Sequence, residues 1–149
     1  WQFANAIEAS ENQVFLEFHV DHDYTRGTDL YLHAHSFCSD AGDVGNTARF
    51  GFEYTVAQGH GQEAFGSTST VYVEQTYGAQ LRHEIAELSD GDAIDGTNIE
   101  PDSLILVRFF RNSSHANDDA GNNIFVPYVD VHYQCDRYAT PAKSPDFYS

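Results

Sequence analysis

The chain has 149 residues, the size of one domain able to bury a core without disulfides or metal. Its formal net charge of −16, with Lys143 as the sole lysine, sets up a field that repels DNA, RNA and anionic lipid. No apolar run approaches the roughly 20 residues that a membrane helix needs, and two cysteines, Cys38 and Cys135, are too few for a disulfide framework and fit either free thiols or one bridge.

Hydrophobic residues recur with period two along most of the chain, the pattern of half-buried strands. Val14, Leu16, Phe18 and Val20 form one face, opposite Glu17, His19 and Asp21, with Phe15 alone breaking the polar side. Residues 21–29 are polar and carry Gly27, which predicts a loop. Leu30, Leu32 and Ala34 then alternate with Tyr31, His33 and His35. After the turn-rich stretch 39–47, Phe50, Phe52, Tyr54 and Val56 face away from Arg49, Glu53 and Thr55. A long polar loop over 59–69 leads to Val71 and Val73. Leu81, Ile85 and Leu88 have helical spacing, but the flanking turn signals favour a strand. Leu104 to Phe110 is apolar on both faces and predicts the most central strand. Val129, Val131, Tyr133 and Cys135 mark the last strand, and Pro141 and Pro145 predict an extended tail.

These elements predict an all-β, single-domain, jelly-roll-like β-sandwich of about seven or eight antiparallel strands. The expected organisation is an N-terminal arm over 1–12, the sandwich over 13–138 and a C-terminal tail over 139–149.

Chemistry is sparse. His33 and His35, two apart on a strand, point to one face. With His132 from a later strand they form the sharpest candidate for a divalent-metal site, to which Asp40 or Glu53 would add oxygen. The plainer reading, that these histidines fill a half-buried strand face or a subunit contact, is preferred, and no metal or cofactor is expected. The His33–His35 pair also resembles the cupin motif, but the glycine and glutamate spacing of that motif is missing. No G-x-S-x-G elbow, dinucleotide fingerprint or P-loop occurs. Cys38 and His35 fall on opposite strand faces. Glu74 and Glu84 read as solvated strand positions, and an enzyme is not expected. Arg108 is expected to pair with an acidic residue on a neighbouring strand, and Arg111, at the strand end, to meet a partner chain.

Four stretches, in order, carry a resemblance. Residues 24–36, YTRGTDLYLHAHS, resemble a GTDLHPHVHW segment; 49–58, RFGFEYTVAQ, a G-x-E-Y strand; 102–111, DSLILVRFFR, an SLLLVRLFRD strand; and 131–149, VHYQCDRYATPAKSPDFYS, an HYQ-x-DR-x-GT ending. Together they resemble a family of tailed-phage virion structural proteins. One histidine and the tryptophan of the first segment are replaced here by Tyr31 and Ser36, and the GT of the last by Ala139 and Thr140.

The resemblance implies a virion protein with no assigned activity. The leading expectation is a head cement or decoration protein on the capsid surface, made in the host cytoplasm, which bridges capsomers by contacts with the major capsid protein and with copies of itself. No nucleic-acid or membrane partner is expected. The expected contact residues are Trp1, Phe3, Phe147 and Tyr148 of the arms, with Arg111. For the arms, packing on their own domain is an equal alternative. A tail or fibre-adaptor module is the second expectation. A lectin-like sandwich that stacks sugars on Tyr72, Tyr77 or Trp1 is the third.

Overall fold

The computed structural model describes residues 1–5, 12–60 and 63–135. Eight strands form within them: β1 (Gln2–Phe3), β2 (Gln13–His19), β3 (Tyr31–Cys38), β4 (Thr47–Ala57), β5 (Ser69–Thr76), β6 (Glu84–Glu87), β7 (Leu104–Arg111) and β8 (Ile124–His132). Helical structure among the described residues is limited to three 3-10 turns. No described helix is long and apolar enough to cross a membrane. Every strand pairing is antiparallel. One sheet has the order β1-β8-β3-β6, the other β2-β7-β4-β5. The protein is an all-β sandwich.

The alternating side chains explain the stacking of the two sheets. Leu32, Ala34, Ser36 and Cys38 of β3 are all fully buried, as are Phe50 and Phe52 of β4 and Ile105 and Phe109 of β7. The Phe109 ring lies at the centre. It meets Phe3 of the opposite sheet edge-on at 5.3 Å and the rings of Phe50 and Phe52 at 5.3 and 5.1 Å. Each such pair adds about 0.5–1.5 kcal/mol beyond its buried area. Cys38 faces this core and Cys135 is exposed; both are free thiols.

Residues 2–3 of the expected arm pair with Phe125 and Ile124 of β8, in keeping with the alternative that the arm packs on its own domain. Two other expectations need correcting. The apolar stretch 81–88 yields a strand only over 84–87, because Leu81 adopts φ 58 and turns the chain. The last strand starts five residues before Val129, at Ile124, although Pro127 cannot donate to a ladder. The register steps by one residue there, from His35↔Tyr128 to Phe37↔Phe125, so Pro127 sits in a bulge where its missing N–H costs no pairing. The predicted tail over 139–149 lies outside the described residues.

Candidate functional site

The outer face of β8-β3-β6 carries the polar grid that the histidine pair foreshadowed. Pairing sets the rows: Tyr31 opposite His132, His33 between Asp130 and Glu87, and His35 between Tyr128 and Ile85. His33 occupies the centre. Although it points away from the core, it is 0% exposed, because neighbouring side chains cover it. The His132 ring lies over it at 3.7 Å between centroids, and that of His35 at 4.9 Å.

The polar atoms converge. His33 Nε2 and His35 Nε2 are 3.0 Å apart, and Asp130 Oδ1 touches the first and lies 3.6 Å from the second. His35 Nδ1 meets His83 Nε2 at 2.6 Å, the two rings stacked. His132 Nδ1 and Glu87 Oε2 pair at 3.0 Å. Two buried atoms remain without a hydrogen bond, His33 Nδ1 and Asp130 Oδ1. Burial pushes the pKa of His33 down, against the pull of Asp130, and the neighbouring His132 and His35 add to the depression. A neutral ring is the form that ligates metal. Two triads have ligand atoms close enough for one ion, His33–His35–Asp130 and His33–His132–Glu87.

The strand parity that put His33, His35 and His132 on one face was legible in sequence. Asp130, Glu87 and His83 were not singled out, although Asp130 and His132 show the same two-residue spacing as the histidine pair. The oxygen ligands suggested instead lie elsewhere. Asp40 accepts from the Gly42 amide at 2.7 Å and caps a 3-10 turn. Glu53 is in the other sheet and takes the expected bond from Arg108, at 3.2 Å.

A second histidine cluster lies at the end of β2 and in the adjoining loops. Asp102 Oδ1 receives His19 Nε2 at 3.0 Å and His22 Nε2 at 3.3 Å, while Oδ2 receives His60 Nε2 at 2.6 Å. These contacts, that of His60 foremost, hold the Asp102 carboxyl below its ordinary range. Gly59 makes the approach possible, since a Cβ there would stand 2.8 Å from the Asp102 carbonyl oxygen.

Several expected contact residues are placed differently. Arg111 is 0% exposed and contacts no solvent. It forms a bidentate pair with Asp118 at 2.9 and 2.6 Å, and it donates to the carbonyls of Phe3, Ala120 and Asn122. Phe3 is buried against Phe109, whereas Trp1 is half exposed. Phe147 and Tyr148 lie outside the described residues. Of the stacking candidates, Tyr77 is buried and donates to Ser36 Oγ at 3.0 Å, and Tyr72 has the Arg49 guanidinium over its ring at 4.3 Å. Neither presents an open platform. Glu84 is also only partly solvated, since it accepts from Arg82 and the Gly78 amide.

The outer face of the other sheet is mixed, with exposed apolar side chains among Glu17, Glu53 and Arg108. Phe15 is 73% exposed, and Leu104 and Leu106 stand beside it. Together with Glu53, Thr55 and Arg108, Phe15 and Leu106 edge a shallow depression of about 600 Å³, and Leu104 lies further along β7. Comparison with protein-family models, curated proteins and solved structures gives no match for the chain.

Proposed function

We propose that this chain is a structural protein of a tailed-phage particle, a jelly roll that binds the outer capsid shell as a cement protein and bridges capsomers. The observation that carries the reading is the exposed strip of Phe15, Leu104 and Leu106 on the β2-β7-β4 face. Monomeric proteins seldom display grouped large apolar side chains on a strand face without a partner. Flanked by Arg108 and Glu53, the strip has the apolar centre and charged rim of a contact surface. Repeated by the symmetry of a shell, a modest contact sums to a large reinforcement.

Three further observations support the reading. The strand orders β1-β8-β3-β6 and β2-β7-β4-β5 suit the jelly-roll winding proposed for this sandwich. Three of the stretches that resemble virion proteins reach strands, 24–36 on β3, 49–58 on β4 and 102–111 on β7, and the last two strands pair. The acidic surface keeps such a protein off the packaged genome.

The test is quantitative mass spectrometry of purified particles, paired with sedimentation of the protein on shells that lack it. Several hundred copies per particle and shell binding lost by Phe15→Asp and Leu106→Asp are expected. About a dozen copies would place the chain in the tail instead. Absence from the particle would overturn the reading.

A further inference from the structure

We propose that His33 Nε2, His35 Nε2 and Asp130 Oδ1 bind one divalent transition-metal ion of the zinc class on the outer face of β3 and β8. This site is independent of any role in a particle, since none of its residues belongs to the apolar strip on the opposite sheet.

The donor set is two imidazoles and a carboxylate, which suits zinc and its first-row neighbours better than calcium or magnesium. The geometry needs little adjustment. With His33 and His35 nitrogens 3.0 Å apart and Asp130 Oδ1 within 3.6 Å of the second, an ion about 2 Å from each atom fits just above their plane. All three groups stand on paired strands, and His33 and Asp130 are direct cross-strand neighbours, so the backbone ladder fixes the site.

Three features point to an ion instead of a closed hydrogen-bond network. Asp130 Oδ1 is buried and makes no well-formed hydrogen bond, and its contact with His33 Nε2 is an ion pair only when that ring is protonated. Such an oxygen costs free energy unless a cation or donor meets it. His35 also has the arrangement that metal-bound histidines show: its other ring nitrogen, Nδ1, is engaged by His83 at 2.6 Å. In the tautomer in which Nδ1–H donates to His83 Nε2, the His35 Nε2 lone pair turns into the site. The His33 side chain is fully buried, and its Nε2 is aimed at the same two atoms, His35 Nε2 and Asp130 Oδ1.

The alternative triad with His132 and Glu87 is less suited. Those two side chains already satisfy each other at 3.0 Å and are about half exposed, so an ion there displaces an existing bond and competes with water. Exposure of Asp130 is 28%, which leaves the fourth coordination position to water or to a group from a neighbouring molecule.

The experiment strips the full chain with a chelator and titrates it with Zn(II), using Co(II) as a spectroscopic substitute. One equivalent is expected to bind. Affinity falls at least about tenfold in His35→Ala and in Asp130→Asn, and is unchanged in His132→Ala and His19→Ala. Ring-nitrogen NMR of the unmodified chain gives a readout that needs no variant: the Nε2 signals of His33 and His35 move first on adding Zn(II). The proposal is overturned by any of three results. These are no stoichiometric binding, unchanged affinity in both ligand variants, or other histidine signals responding first.

Discussion

Arg111–Asp118 and His33–Asp130 each join a fully buried basic side chain to an acidic one, yet they are resolved in opposite ways. Arg111 has its fork closed on Asp118, with the remaining donors taken by the carbonyls of Phe3, Ala120 and Asn122. Both side chains of that pair are inaccessible. The ion pair ties β7 to the 118–122 loop and to the first strand. His33–Asp130 leaves an orphaned atom on each partner. A buried pair whose hydrogen bonds are complete serves the fold, because any change there leaves a charge stranded. One left incomplete costs stability as it stands, and so marks a place where something else is meant to bind.

The largest effect should come from breaking the complete pair. Asp118→Ala leaves the Arg111 guanidinium buried without its counter-charge, and costs about 3–5 kcal/mol in urea unfolding. A loss below about 1 kcal/mol would mean that Arg111 finds water on relaxation, and the comparison would lose its first term. The incomplete pair should behave differently. In chelator-treated protein, His33→Leu is expected to change stability by no more than about 1 kcal/mol, because it removes an unpaired buried nitrogen along with the contact to Asp130. A cost equal to that of Asp118→Ala would show that the histidine face is already complete as a structural network.

The difference between the pairs also explains what the sequence made legible. His33, His35 and His132 could be placed on one face because strand parity is local: alternate residues point the same way whatever the strand pairs with. Asp130 and Glu87 are neighbours of His33 only through the order β8-β3-β6, a tertiary fact that one strand's pattern does not encode. Glu87 and His83 sat besides in the stretch whose period was ambiguous between helix and strand. Arg111 was misjudged for the same reason. At the end of an apolar strand an arginine looks solvated, and its partner Asp118 lies in a polar loop that folds back over it. The sandwich itself was readable because nearly every strand keeps the two-residue alternation. Pro127 hid the start of β8, since a proline argues against a strand interior until a bulge is seen to accommodate it.

The Asp102 cluster stands between the two pairs and supplies the smallest effect. Its carboxylate meets three histidines, but its groups come from the end of β2 and from loops and are partly open to solvent. The fold holds the Asp102 pKa below its unfolded value of about 3.9. Below that unfolded value the unfolded chain takes up a proton that the folded chain resists. The stabilisation from this carboxylate is therefore full above about pH 4 and is lost as pH falls through the depressed folded value. Asp102→Asn should accordingly flatten the acid limb of a stability-against-pH curve, while leaving the slope above about pH 5 as it was. The same substitution at Asp118 would remove far more stability at every pH, because there the partner is an arginine that never loses its charge. An unaltered acid limb in Asp102→Asn would mean that solvent already screens the three histidines. Completeness of contacts would then count only where burial accompanies it, as it does at Arg111.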